Sequence, residues 1–171
     1  LMWNPELDSD SLMQRFMHKY YGGASPYLYR YQQLLQGALL ASGTPLWIYD
    51  SPISHKSGML NANLLKAYNE LFDAAEHAVQ GDSLLTAHVR IARLPLRYSE
   101  LEIARTETGG DKQAIATQLE TFRSQCAKYD IPTLNERNNR PADYCELYKK
   151  RFLPTTAVNK AAGAKVTWIK A

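Results

Sequence analysis

The sequence predicts a mainly α-helical fold, a bundle or array of about six helices with one long non-helical connection and an extended C-terminal tail. Apolar residues recur at three- and four-residue spacing in six segments, which is the period of an amphipathic helix. Glycine, proline and capping residues fall between these segments. Strand and helix patterns do not alternate along the chain, so we expect no parallel α/β sheet.

The first two helices are predicted on either side of KYYGGASPYLYRY, residues 19–31. Asp8 or Ser9 can cap the first helix, and Gly22-Gly23 is expected to end it. Ser25 followed by Pro26 predicts the start of the second, with a capping hydroxyl and proline at the first helical position. Two apolar stripes support these helices: Leu12, Phe16 and Tyr20 in the first; Leu28, Tyr31, Leu35 and Ala38 in the second.

A long connection follows Gly43, which is expected to end the second helix. The segment PLWIYDSPISHKSGM, residues 45–59, has no helical period and contains three residues that interrupt regular structure, Pro45, Pro52 and Gly58. We expect a short extended piece at residues 46–49. Long connections inside compact domains are uncommon and are often functional.

Four further helices are predicted downstream. The third begins near Asn61 or Asn63 and ends at Gly81, and Asp82 caps a longer fourth helix. Pro95 lies inside that helix, where the lost backbone donor predicts a kink. The fifth helix, after Gly109-Gly110, has the clearest apolar stripe; the sixth is short. Their apolar positions are Ile115, Leu119, Phe122, Cys126 and Tyr129 in the fifth, then Tyr144, Leu147 and Tyr148 in the sixth.

Composition limits the classes of partner. The chain has 171 residues, a net charge of only +3 and no long run of like charge, which argues against a nucleic-acid partner. No segment is long and apolar enough to predict a transmembrane span. Cys126 and Cys145 are too few for a disulfide framework; two buried free thiols are the favoured interpretation, and a bridge between predicted helices is the alternative.

Common catalytic and metal-binding motifs are absent from the sequence. It contains no phosphate loop, no G-x-S-x-G and no H-E-x-x-H. His77 and His88 lie on successive predicted helices, but structural roles are the favoured interpretation for both. Glu70 and Asp73 share a helix face, whereas Glu100 and Glu102 do not. We therefore predict no catalytic residue, no metal site and no cofactor.

The long connection contains the best candidates for ligand binding. Within WIYDSPISH, Trp47 and Tyr49 offer flat apolar rings, while Asp50 and His55 offer polar groups. An aromatic ring beside a carboxylate suits a sugar, whose apolar face stacks on the ring while its hydroxyls bind the acceptor. The alternative is that the two aromatic residues anchor the loop to the bundle while Asp50 and His55 face water. The polar loop at residues 135–140, NERNNR, is a second candidate.

The opening of the chain resembles a known family. The matching pieces are W-N-P-x-x-D at residues 3–8, F-x-x-x-Y-Y-G at 16–22 and A-x-P-Y at 24–27. HVRIARLPLRYSELEIAR, residues 88–105, also matches, including its internal proline. These pieces resemble the helical region that follows the barrel in an uncharacterised family of large bacterial glycoside-hydrolase-like proteins, which are similar to α-glucuronidases and family 20 hexosaminidases.

This resemblance implies that residues 1–153 form a helical accessory domain that packs on an upstream catalytic-type barrel of the same polypeptide. It implies a periplasmic or extracellular protein whose parent is a glycoside hydrolase, and it allows a role in dimerisation. In such an enzyme, two carboxyl groups of the barrel flank the scissile bond. None of the catalytic motifs of the family is found in this chain, so no catalytic residue is assigned here.

The last residues resemble the beginning of another module. NKAAGAKVTWIKA, residues 159–171, is similar to the lead-in to discoidin-like carbohydrate-binding modules, so residues 154–171 are expected to be a linker and a first strand. The apolar start and the interrupted strand pattern at the end suggest a fragment of a larger protein. The alternative function is a stand-alone helical module for protein interaction or scaffolding.

Overall fold

The predicted helical class is confirmed by the computed structural model, which describes residues 8–153. Six α-helices follow one another in this range, and it contains no β-strand. Their bounds are α1 Ser9–Tyr21, α2 Ser25–Ser42, α3 Ala62–Ala78, α4 Ser83–Ala104, α5 Lys112–Lys128 and α6 Pro141–Phe152. The predicted C-terminal tail lies outside the described residues.

Two hydrophobic clusters share α4 as their common wall. The first cluster lies among α2, α3 and α4, where Tyr68 and Phe72 of α3 are fully buried. The second lies among α4, α5 and α6 and includes Leu119, Phe122 and Tyr148. Opposite faces of α4 supply both clusters, so this helix connects the two halves of the array.

Most helix ends follow the predicted capping signals. The side chains of Asp8, Asn61 and Asp82 accept hydrogen bonds from the first-turn amides of α1, α3 and α4. Gly22 and Gly43 end α1 and α2 with positive φ values of 52° and 63°. These local signals work because each unpaired terminal amide or carbonyl needs a nearby partner or a permissive backbone.

The predicted cap at Ser25 is wrong. A 3₁₀ turn at Gly22–Ala24 runs directly into α2, and Ala24 precedes the helix with helical dihedral angles instead of the extended ones that a capping residue needs. Ser25 is instead a buried residue inside the first turn of α2. The joint between α1 and α2 is therefore tighter than the sequence indicates.

Helix α4 is one element from Ser83 to Ala104 in spite of Pro95. The side chains on either side of this proline, Leu94 and Leu96, are buried in different clusters. Packing on both faces offsets the missing backbone hydrogen bond at Pro95.

Some predicted apolar positions are exposed. Phe16 and Tyr20 of α1 both face solvent, and their rings stack on each other with a centroid separation of 5.6 Å, while Met17 is the buried residue of this helix. Leu147 of α6 is also exposed, and the buried positions of that helix are Pro141, Cys145 and Tyr148. Helical period identifies candidate faces, but the neighbouring helices decide which face is covered.

Both cysteines are free and buried in the second cluster. This agrees with the favoured prediction of two buried free thiols. Burial raises the pKa of Cys126 and the pKa of Cys145 to about 11 each, because the thiolate form is poorly solvated there.

Candidate functional site

The four predicted ligand-binding residues lie in the α2–α3 loop, defined here as residues 43–61. Trp47 and Tyr49 are 72% and 78% exposed, and neighbouring Ile48 is 86% exposed. Most of the predicted extended piece at residues 46–49 belongs instead to a turn over residues 47–50, closed by a 3.0 Å hydrogen bond from the amide of Asp50 to the carbonyl of Trp47. This turn presents the two aromatic rings to solvent.

His55 anchors the other half of the loop. It ends a short 3₁₀ helix, Pro52–His55, which was not predicted, and the residue is only 2% exposed. Nε2 of His55 lies 2.7 Å from Oδ2 of Asp50. The carbonyl of His55 accepts hydrogen bonds of 3.0 Å from the amides of Gly58 and Leu60. The loop is therefore folded around a buried histidine.

The alternative predicted for this loop is wrong for Trp47, Tyr49 and His55. Trp47 and Tyr49 do not bury themselves against the bundle, and His55 does not face water. The polar pair does the anchoring, and the aromatic residues are presented outward. The carboxylate of Asp50 compensates part of the cost of burying the imidazole by binding Nε2, whereas Nδ1 is buried without a partner in the described range.

Asp50 remains ionised over the physiological range. A hydrogen bond from the Ser54 hydroxyl lowers the pKa of Asp50 most, followed by the amide of Ser51 and the ring of His55, and together they bring it to about 2. The Ser51 amide donates to Oδ1 at 2.8 Å. A permanent negative charge thus lies beside the exposed aromatic rings.

A pocket of about 370 Å³ lies between the α2–α3 loop and the α5–α6 loop, defined here as residues 129–140. The guanidinium carbon of Arg137 lies 5.1 Å from the centroid of the Tyr49 ring, within the range of a cation–π contact. The two candidate loops of the sequence are therefore neighbours. The pocket is lined by Ile48, Tyr49, Asp50, Asn135, Glu136, Arg137 and Asn139.

The α5–α6 loop is held in shape by its own hydrogen bonds. Oδ1 of Asn135 accepts from the amide of Arg137 at 3.0 Å, and the amide of Leu134 donates to the carbonyl of Asn139 at 2.8 Å. Asn138 has a φ of 57°, which asparagine tolerates better than most residues. This local order positions a guanidinium, a carboxylate and two amides around the pocket.

A second pocket, of about 360 Å³, lies on the inner side of the α2–α3 loop. Its walls are mostly apolar and include Tyr31, Leu35 and Met59, while Asp50 and His55 supply polar groups. Asp50 lines both pockets, so one carboxylate lies between a polar cleft and an apolar one. Such a combination of apolar walls and a few polar groups is typical of small-molecule sites.

The remaining polar candidates have structural surroundings. His88 stacks on Tyr20 with ring centroids 3.9 Å apart, and its Nδ1 lies 2.7 Å from the carbonyl of Tyr20. Glu102 is buried and accepts from Arg105 and Tyr144 at 2.7 and 2.9 Å. Glu70 pairs weakly with exposed Lys66 at 3.9 Å. Within residues 8–153, no group of histidine, cysteine, aspartate or glutamate residues could hold a metal ion.

The contact between Arg137 and Tyr49 is the one that the sequence pattern did not identify. The polar composition of residues 135–140 indicated a candidate loop, but the pairing of Arg137 with Tyr49 depends on how α5 and α6 place that loop.

None of the helices in the described range is long and apolar enough to cross a membrane.

Comparison of the chain with known protein families, curated proteins and solved structures gave no match.

Proposed function

We propose that this chain is a helical accessory domain of a secreted carbohydrate-active protein, and that its α2–α3 loop binds a glycan. The observation that carries the proposal is the exposure of Trp47 and Tyr49 beside the ionised carboxylate of Asp50. Aromatic faces offer apolar area to a sugar ring, and the charged and amide groups of the neighbouring pocket offer partners for hydroxyl groups.

The anchored loop also suits binding energetically. The turn at Trp47 and the pairing of Asp50 with the buried His55 reduce the freedom of the loop before any ligand arrives. Binding then costs less ordering entropy than it would with a flexible loop. In this proposal, Trp47 and Tyr49 stack on sugar rings, Asp50 accepts hydroxyl hydrogen bonds, and His55 holds Asp50 in place.

The resemblance of residues 1–152 to a glycoside-hydrolase-like family supports the wider proposal. In it, an upstream barrel carries the two catalytic carboxyl groups and this domain packs on the barrel, where its loop extends the substrate cleft. The parent protein is then a periplasmic or extracellular glycoside hydrolase. No residue of this chain is proposed to be catalytic.

Binding of defined oligosaccharides tests the proposal. Cello-, xylo- and chito-oligosaccharides would be titrated by calorimetry into the chain and into the longer parent protein. We expect Trp47→Ala and Tyr49→Ala to weaken binding by about tenfold or more, which corresponds to about 1.4 kcal/mol. Leu40→Ala is a matched control because Leu40 is exposed but lies outside both pockets.

Equal affinity of the Trp47→Ala and Tyr49→Ala variants and the parent sequence would contradict the glycan site. Loss of affinity in the Leu40→Ala control would also count against it, because that result would indicate a general change in the domain. Thermal unfolding of each variant would be measured alongside, since substitution of an exposed ring should leave stability nearly unchanged.

One observation favours the alternative, a stand-alone module for protein interaction. Four consecutive large apolar residues, residues 46–49, are all exposed, with Leu46 at 56%. Exposed apolar patches of this kind occur at protein–protein contacts. Sedimentation equilibrium of the chain would detect a self-associating surface. Dimers that Ile48→Asp disrupts, without any glycan binding, would favour this alternative.

A further inference from the structure

A polar cavity of about 320 Å³ lies at the junction of α3, α4 and α5, apart from the α2–α3 loop. Its lining contains no apolar side chain and combines cations, carboxylates and amides. The residues are Asn69, Asp73, Arg93, Arg97, Glu100 and Gln118. The proposed glycan site does not use any of them.

Arg93 is the structural centre of this cluster. It is only 7% exposed, and its Nη1 donates to Asp73 at 2.7 Å and to Glu76 at 2.9 Å. Its Nη2 donates to Oδ1 of Asn69 at 2.6 Å. Two carboxylates therefore compensate the charge of Arg93, which is the usual requirement for a buried guanidinium.

Arg97 has neighbouring carboxylates but no hydrogen-bonded partner of this kind within the described residues. Its side chain makes no hydrogen bond or ion pair with any residue in the described range 8–153, and its Nε is buried without a partner. Burial lowers the pKa of Arg97, and the charge of Arg93, one helical turn earlier, lowers it further. The cavity therefore contains a half-buried guanidinium whose N–H groups donate no hydrogen bond to a residue in the described range.

Glu100 decides the net charge around Arg97. Its Oε1 accepts from Nδ2 of Asn69 at 2.5 Å. Burial, the largest effect, raises the pKa of Glu100, although the Asn69 bond and the charges of Arg93 and Arg97 oppose it. Protonation of Glu100 therefore begins at a higher pH than for an exposed glutamate.

The charged groups that line the cavity, together with the neighbouring ion pair of Arg90 and Glu76, can be counted helix by helix. Arg90, Arg93 and Arg97 of α4 oppose Asp73 and Glu76 of α3 and Glu100 of α4, three cations against three carboxylates when Glu100 is ionised. The α5 residue in the lining, Gln118, is uncharged. When Glu100 is neutral, the cluster, with Arg97 included, carries one net positive charge.

We propose that this cavity binds a small oxyanion through Arg97, and that protonation of Glu100 strengthens the binding. A guanidinium presents two parallel donors to a carboxylate or a phosphate, which gives strong and directional hydrogen bonds. The amide of Gln118 and the protonated carboxyl of Glu100 supply further donors. The proposal concerns a site separate from the α2–α3 loop and does not depend on glycan binding.

Side-chain NMR of Arg97 tests the site directly. Formate and inorganic phosphate would be titrated separately while the Nε–H resonance of Arg97 is followed, which distinguishes a carboxylate site from a phosphate site. We expect saturable shifts with at least one anion. The side-chain amide of Gln118, which also lines the cavity, is followed as a second signal, and its shift should be lost in Arg97→Gln. Arg123→Gln is the matched control, because Arg123 lies on α5 outside the cavity and forms only 3.7 Å ion pairs.

The role of Glu100 needs a second comparison. Formate stays ionised at both about pH 5 and about pH 8, so a change in its affinity reports on the protein. We expect formate to bind at least fivefold more weakly at the higher pH, which corresponds to a difference of about 1 kcal/mol in binding free energy. The Glu100→Gln variant should bind formate with equal affinity at both pH values.

Three results would overturn the proposal. The first is no saturable shift with either anion at about 50 mM, a concentration that detects even millimolar affinity. The second is unchanged binding in a folded Arg97→Gln variant. The third is the same pH dependence in Glu100→Gln as in the parent sequence, which would show that Glu100 is not the titrating group.

Discussion

Nε2 of His55 lies 2.7 Å from Oδ2 of Asp50, and this contact joins a buried side chain to the turn that exposes Trp47 and Tyr49. The ring of His55 lies inside the domain, whereas the carboxylate of Asp50 reaches both surface pockets. The pair therefore fixes the candidate binding loop to the core of the domain.

His55→Ala should destabilise the domain and release the α2–α3 loop. The substitution removes a buried side chain and its hydrogen bond to Asp50, a loss of about 1–3 kcal/mol in the free energy of unfolding. Urea denaturation would measure it. Ser57→Ala is the control, since Ser57 is an exposed residue of the same loop. Equal stability of the two variants would contradict an anchoring role for His55.

Acid should loosen the α2–α3 loop through Asp50. The pKa of Asp50 is lowered from 3.8 to about 2 in the folded chain, so its ionised form contributes stability above about pH 4. That stability is lost as the pH falls towards 2. The fluorescence of Trp47 would report the change in a background with Trp3→Phe and Trp168→Phe. Adding Asp50→Asn should remove this transition; an unchanged acid profile would refute the assignment.

Gly22 and Gly43 should respond differently to alanine. Both have positive φ values, but a Cβ at Gly22 would lie 2.6 Å from Cδ1 of Leu85, whereas nothing lies within 4 Å of one at Gly43. We expect a cost of about 1 kcal/mol for Gly43→Ala from backbone strain alone. Gly22→Ala should cost at least about 2 kcal/mol, because the φ of 52° and ψ of −127° at Gly22 lie outside the left-handed helical region that Gly43 occupies, and the Leu85 side chain must also shift. Thermal unfolding would compare them, and equal losses would argue against the tight joint.

The two thiols should be unreactive in the folded chain. Burial raises the pKa of Cys126 and of Cys145 to about 11, and the thiolate is the reactive form. Ellman's reagent should detect almost no thiol in the native protein and two per chain in denaturant. The Cys126→Ser variant should show one thiol per chain in denaturant. Rapid reaction of the native protein would contradict the burial, and no thiol in denaturant without reductant would indicate a disulfide.

Local signals in the sequence predicted the helices well. Asp8 and Asp82 cap α1 and α4 as expected, and Gly22 and Gly43 end α1 and α2. These predictions succeed because a cap satisfies amides two or three residues away and a glycine adopts its own positive φ. Two other predictions of helix ends are wrong. Ser25 is not a cap, because the preceding 3₁₀ turn had no recognisable sequence signal, and α3 ends at Ala78, three residues before Gly81.

The composition of the α2–α3 loop and of residues 135–140 was sufficient to identify both as candidate ligand-binding segments. It was not sufficient to predict which residues of the first loop are buried. Trp47 is larger and more apolar than His55, so local hydrophobicity favours burying the tryptophan. In the structure His55 is buried and Trp47 is exposed instead, because Asp50 supplies a hydrogen-bonding partner for the histidine.

The sequence by itself determined the helical class, the number of helices and most of their ends, because all of these depend on contacts within a few residues. The tertiary structure alone decided which faces are covered: it leaves Phe16 exposed, places Arg137 against Tyr49 and leaves Arg97 without a partner in the described range. Each of these outcomes depends on the packing of helices that are distant in sequence, and that packing sets the solvent exposure and charge environment of every side chain.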